Sequence, residues 1–209
     1  MDEFTQSVMN PDIGKLMQQL KKYDNSTHHH CVQVAFKTSL ICMCCYEKKI
    51  ISAKEYPYII AGALLHDIGK IKIPLSIINK PTRLNMEEYL VIQEHSRIGH
   101  DICVQSGIDK EICRIVYEHH ERADASGYPE NKGQTEICIG ARIVAIADSI
   151  DALMSVRPYK KQLTFQEAIE RIKSTDRLYD KDILESLIYL NKLYDKEKIN
   201  ETYNKSKNI

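Results

Sequence analysis

Residues 63–74 read ALLHDIGKIKIP. The apolar run Ala63-Leu64-Leu65 ends in His66 beside Asp67, with Gly69 and Lys70 close behind. A His-Asp pair at the end of a core helix is costly to bury unless something satisfies it. Upstream, the spacing predicts a helix over residues 53–67, with Ser52 as its cap and Glu55 completing a capping box. Downstream, Gly69, Pro74 and Pro81 break the pattern. The decisive stretch is therefore the end of a buried helix that carries two polar side chains into the core.

Working outward, helical periodicity dominates and alternating β-branched runs are scarce. Helices are predicted over 13–23, 27–48, 85–94, 97–105, 109–120 and 137–154. Thr164 with Glu167 caps another that runs to Lys173, and Asp180 caps one that reaches about Tyr194. Residues 122–134, with Gly127, Pro129 and Gly133, read as a loop. The fold class is all-α, one compact bundle of about seven to nine helices. Residues 1–26 form a short helical extension, 27–194 the domain proper, and 195–209 a polar tail.

The chain has 209 residues, 43% of them hydrophobic, which suffices for one sizeable core. Lys plus Arg and Asp plus Glu are both 29, so no broad basic footprint for a DNA or RNA polymer exists. The seven cysteines are odd in number and sit mostly in helix-like apolar stretches such as LICMCCY. Cys42 and Cys45 make a CxxC by spacing, but Cys44 lies between them and no second pair follows, so they read as small buried hydrophobes. The polar start MDEFTQSVMN is unlike a signal peptide, and IIAGALL is too short to span a bilayer. A soluble, cytoplasmic protein with no membrane partner is expected.

The polar residues gather where helices meet breaks. His30 opens one helix, His66 and Asp67 close another, His95 follows a third, and His119 with His120 close a fourth. Asp148 lies in IVAIADSIDAL, the most apolar helix, with Asp151 one turn further on. An ionised carboxylate there needs a cation or strong donors. His30, His66, Asp67, His95, His119, His120 and Asp148 make seven donors, too many for one tetrahedral zinc. Two cations sharing a carboxylate can use them, and pairs about 3.5–4 Å apart suit phosphate-ester hydrolysis. Asp67 would bridge and His66 would hold one ion. Imidazole and carboxylate without thiolate suit iron or manganese and also accept zinc or nickel. His28, His29 and His100 read as surface or helix-start residues.

HDIGKIKIP, INKP, HSRIGHDI, HHERADASGYP, ARIVAIADSIDAL and RPYK occur in that order, and together they resemble the HD-GYP subfamily of HD-type phosphohydrolases. The resemblance covers roughly residues 27–190. It implies hydrolysis of cyclic di-GMP to the linear dinucleotide pGpG, or to GMP if a second cut follows, with the seven donors as metal ligands. It further implies that Lys70 touches the scissile phosphate, that Tyr128 flanks the guanine or ribose, and that Arg122, Arg157 and Lys160 contact substrate. Asp151 would accept a proton or orient Lys70 or a water. A homodimer or a signalling partner is suggested by the family alone. The alternatives are another cyclic dinucleotide or mononucleotide as substrate, and a nucleotide-binding module with little catalysis.

This sequence departs from the family pattern in places. His30 is followed by Cys31, Val32 and Gln33 where Ser-x-Arg is usual. Ser26 stands where members with a third metal carry Glu, which favours two ions. Ala123 replaces an aromatic and Ala125 a glycine in the GYP loop, and Leu75 replaces the common Asp after Ile73-Pro74. Losing glycine at 125 matters if that position needs positive φ. None of these changes removes a donor.

Overall fold

Residues 10–155 and 163–187 are described by the structure, a computed structural model. Helix α1 (Pro11–Tyr23) and helix α2 (Asn25–Glu47) are separated by Asp24 alone. Asp24 is extended, with φ −147°, and its carboxylate accepts from the backbone N–H groups of Ser26 and Thr27. That cap starts α2 two residues before the predicted Thr27.

Helix α3 (Tyr56–Leu65) is shorter than predicted at both ends. The Ser52 N–H does donate to Glu55 Oε2 at 2.7 Å, but this closes a turn rather than the helix. Pro57 explains the later start, because a residue without an N–H fits only the first helical turn. At the other end the chain tightens after Asp67 into a 3₁₀ turn over Ile68–Lys72. A side chain at Gly69 would run into the His95 carbonyl oxygen and lie 2.6 Å from the Gly99 nitrogen. Glycine therefore lets this turn pack directly on the helix that carries His95.

Four further helices follow, α4 (Leu75–Ile78), α5 (Met86–Gln93), α6 (His95–Gln105) and α7 (Lys110–Glu118). Asn85 and Glu88 form a complete capping box at α5, and Asp109 accepts from Glu111 N at the start of α7. After the loop come α8 (Ile139–Met154), α9 (Phe165–Lys173) and α10 (Lys181–Ser186). The predicted Thr164–Glu167 box is present, and Asp180 caps α10. The predicted continuation to Tyr194, the tail 195–209, Arg157 and Lys160 lie outside the described residues. Among the described residues there is no strand, only an isolated antiparallel bridge between Asp124 and Gly133.

Two apolar clusters hold the helices together. Val34, Ile41, Cys42, Cys45, Ile59, Ala63, Ile143, Ile146 and Ile150 join α2, α3 and α8, and α9 and α10 pack onto them. Leu16, Leu20, Cys31, Leu65, Ile68, Cys103, Ile112 and Val116 join α1 to α3, α6 and α7. Ala63 belongs to the first cluster and Leu65 with Ile68 to the second, so the His66-Asp67 corner falls where the two meet. All seven cysteines are free, and all but Cys138 are buried. Burial raises the Cys45 thiol to about 11, which leaves it inert as a nucleophile. Among the described residues no helix is long and apolar enough to cross a membrane.

Candidate metal centre

A helix leaves its last carbonyls without intrahelical partners. Three of the predicted histidines exploit this. His66 Nδ1 donates to the Ala63 carbonyl at 2.8 Å, His95 Nδ1 to Ile92 at 2.5 Å, and His119 Nδ1 to Val116 at 2.7 Å. Each bond spans three residues across the end of α3, α5 or α7. It fixes the tautomer and turns Nε2 away from the backbone. His95 thus opens α6 while bonding back into α5.

The Nε2 atoms converge. His95 Nε2 and His119 Nε2 are 3.2 Å apart. Both rings are buried, and burial drives both toward the neutral form, His95 to about 4 and His119 well below its usual range. With each Nδ1 already donating, two lone pairs face one another. His66 Nε2 is buried with no hydrogen-bond partner. Facing lone pairs and an orphaned imidazole nitrogen fit a bound cation between them.

Asp67 divides its carboxylate between the two sides. Oδ1 is 3.2 Å from His95 Nε2, whereas Oδ2 is 3.4 Å from His66 Nε2 and 3.6 Å from His30 Nε2. Around it, Asp67, His95, His119 and His120 form one group of mutually close donor atoms, and His30, His66 and Asp148 form another. All seven predicted donors are therefore brought together. Burial alone would raise the Asp67 carboxyl, but Lys70 and His66 beside it hold it well below the usual carboxylate range. Asp148 is also held low against its burial, chiefly by the hydrogen bond from His30.

His30 solves the orientation problem differently. It lies inside α2, where neighbouring carbonyls are already used, and its Nδ1 donates to Asp151 Oδ2 at 2.6 Å. Its Nε2 stands 3.1 Å from Asp148 Oδ1. The resemblance implies that Asp151 accepts a proton or orients Lys70 or a water. The structure instead places it, 4% exposed, behind His30, with Oδ1 accepting from Lys37 Nζ at 2.8 Å. It positions a donor and does not face the opening, because its two oxygens are taken by α2.

Lys70 Nζ donates to Asp67 Oδ2 at 2.7 Å and retains some exposure, so it reaches the opening of the cage. Tyr128 stacks on His120, with ring centroids 4.7 Å apart. Arg122 donates through Nη1 to the His119 and Glu121 carbonyls and lies over the Tyr179 ring at 5.7 Å. A side chain at Gly127 would strike the His120 carbonyl, so glycine lets the GYP loop close on the end of α7.

Sequence reasoning missed several residues. Glu121, buried, accepts the Glu130 and Lys132 backbone N–H groups at 2.7 and 2.9 Å and shapes the loop. Glu118, buried, accepts from Cys138 N and is flanked by Arg114 and Lys132. Cys31 Sγ lies close to donor atoms of His66 and Asp67. Lys37 carried a legible signal, since it falls two turns after His30 and so on the same face of α2.

Ala125 does adopt positive φ, at 60°. A non-glycine residue there costs roughly 1–2 kcal/mol. Ala125→Gly should therefore stabilise the protein by about 0.5–1 kcal/mol after the larger chain entropy of glycine is deducted. A higher urea midpoint with unchanged slope is the expected readout, and an unchanged or lower midpoint counts against strain at this position.

Fold and donor set together define the class, an all-α domain with clusters of His and Asp side chains able to hold metal at its centre. The chain belongs to the HD domain family, whose model matches residues 17–183. It is 36% identical over 199 residues to a cyclic di-GMP phosphodiesterase of Thermotoga maritima, covering 91% of this chain and 53% of the relative. It is 40% identical over 106 residues to the 3'3'-cGAMP-specific phosphodiesterase 1 of Vibrio cholerae, covering 51% of this chain and 25% of the relative. Among solved structures it is similar to Bd1817, a HDG"Y"P protein from Bdellovibrio bacteriovorus, with TM-score 0.62 and 20% identity over 79% of this chain and 52% of that one. That last likeness establishes the fold. The chain spans about half the length of the first curated relatives it matches.

Proposed function

We propose that this chain is a metal-dependent phosphodiesterase that hydrolyses cyclic di-GMP to linear pGpG, with GMP as the product of any second cut. The observation that carries the reading is Asp67, whose two oxygens face two separate groups of imidazole and carboxylate donors. His30, His66 and Asp148 would hold one divalent ion, and His95, His119 and His120 a second, with Asp67 shared. Mixed nitrogen and oxygen donors favour iron or manganese, with zinc and nickel also compatible. Such a pair, when bound, polarises phosphoryl oxygens and acidifies water.

The remaining steps belong to the protein's own side chains. Lys70, raised above its usual range by Asp67 against its burial, stays an ammonium and can donate to a non-bridging phosphate oxygen as charge builds there. Tyr128 is held flat against His120, at the edge of the cage where a nucleoside would enter. Arg122 keeps guanidinium N–H groups beyond Nη1 for substrate oxygens. Arg157 and Lys160 are proposed as further phosphate and base contacts. Free, buried thiols fit a reducing, cytoplasmic setting. Association as a homodimer or with a signalling partner is part of the same reading.

The test is to load purified protein with iron or manganese under reducing conditions, add cyclic di-GMP and separate the products. Linear pGpG is the expected product. No turnover with either metal overturns the proposal. The similarity to a 3'3'-cGAMP-specific enzyme and the changes at Ala123 and Ala125 support a second reading, a hybrid cyclic dinucleotide as the preferred substrate. A panel of cyclic dinucleotides under the same conditions separates the two by kcat/KM.

A further inference from the structure

We infer that Lys37 is a positioning residue for the metal centre, acting through Asp151 on His30. The inference rests on the reading that His30 holds an ion, and it adds a residue that neither the donor pattern nor the GYP loop contains. Lys37 is fully buried on α2, an unusual place for an ammonium. Its Nζ donates to Asp151 Oδ1 at 2.8 Å and lies 3.5 Å from the Gln33 carbonyl. Asp151 comes from α8 and is itself 4% exposed. The ion pair therefore ties α2 to α8 directly behind the donor that α2 contributes.

The division of the Asp151 carboxylate carries the argument. Oδ1 is taken by Lys37, and Oδ2 accepts the His30 Nδ1 proton at 2.6 Å. A carboxylate free to turn about its own axis would offer either oxygen to His30. With Lys37 fixed on Oδ1, it is Oδ2 that faces His30, where it also accepts from the Ser155 hydroxyl at 3.3 Å. That hydrogen bond in turn points His30 Nε2 at Asp148 and Asp67, 3.1 and 3.6 Å away. The chain of contacts runs Lys37, Asp151, His30, and then the open centre of the cage. Outer partners of this kind set ligand orientation, and their loss weakens ion binding by about 10–100-fold.

The sequence around His30 supports the same conclusion. Gln33, one turn before Lys37 and on its face of α2, is neutral. The buried cation on this helix face is supplied here by Lys37. His66, His95 and His119 need no such device, because backbone carbonyls hold their Nδ1 atoms. The effect of Lys37 is therefore confined to the group containing His30.

The test compares the wild-type chain with Lys37→Met, which keeps the Asp151 carboxylate on His30, and with the paired variant Lys37→Met/Asp151→Asn, which leaves no lone charge in the core. The weakening assigned to Lys37 must already be present in Lys37→Met, and wild-type affinities in that variant overturn the inference. Circular dichroism checks the fold. Cobalt(II) is titrated in, with calorimetry and visible d–d absorption as readouts. Two binding events are expected for wild type. In the paired variant one event should weaken by about 10–100-fold with a changed d–d band, and the other should stay within about twofold. A merely structural role would weaken both events together and would leave the band shape alone. If the paired variant takes up two ions with wild-type affinities, or loses both equally, the Lys37 inference is overturned while the binuclear reading stands. If wild type itself takes up fewer than two ions, the binuclear reading fails and the inference falls with it.

Discussion

Asp67→Asn should abolish uptake of two ions and lower phosphodiester hydrolysis by on the order of a thousandfold or more. Asp67 is the one donor whose two oxygens face different groups, Oδ1 toward His95 and Oδ2 toward His30 and His66. An amide keeps one oxygen and loses the negative charge, so it can serve one side weakly and the other not at all. The substitution also strips Lys70 of its carboxylate partner at 2.7 Å. Loss of turnover with both ions retained, by elemental analysis of the loaded variant, would show that Asp67 is not shared. His95→Ala, by contrast, should spare ion uptake at His30, His66 and Asp148, because those donors come from α2, the end of α3 and α8.

The two donor groups should also separate by pH. Burial alone would lower His30, but its bonds to Asp148 and Asp151 and the nearby charge of Asp148 and Asp67 outweigh it and raise the imidazole to about 9. His66 is likewise raised against its burial, mainly by the charge of Asp67. At neutral pH these imidazoles carry protons that an incoming ion must displace. Burial lowers His95 to about 4 and puts His119 and His120 well below their usual range, so these nitrogens are already free.

The sign follows directly. Between pH 6.5 and 8.5, affinity at the group containing His30 should rise on the order of a hundredfold for each displaced proton, and the part due to His30 should level off as pH passes about 9. Affinity at the group containing His95 should stay flat over that range. Calorimetry in buffers of different ionisation enthalpy counts the protons, with release expected at the first group and none at the second. Equal slopes at both groups would sink this assignment.

Much of the fold could be read from short stretches. Asp109, Thr164 and Asp180 cap helices because their side-chain oxygens reach backbone N–H groups two or three residues on, and such contacts are written in local order. The errors came where two local signals competed. Ser52 and Glu55 have the letters of a capping box, yet Pro57 postpones the helix to Tyr56. His95 was expected after a helix, and it both follows α5 and opens α6, since its Nδ1 can take the Ile92 carbonyl without ending the chain's helical course. The 3₁₀ turn over Ile68–Lys72 went unpredicted because its cause is Gly69 meeting a carbonyl from another helix.

By itself, the sequence determined the types of donor and their placement at helix ends. The reason is local, for at His66, His95 and His119 the carbonyl that fixes Nδ1 lies three residues back, where an ending helix leaves it unused. Only the tertiary structure decided how these atoms meet, and which side chains stand behind them. His30 sits inside α2, where carbonyls are spent on the helix, so its partner had to come from Asp151, 121 residues away. Lys37 behind that carboxylate becomes intelligible only once α8 is packed against α2.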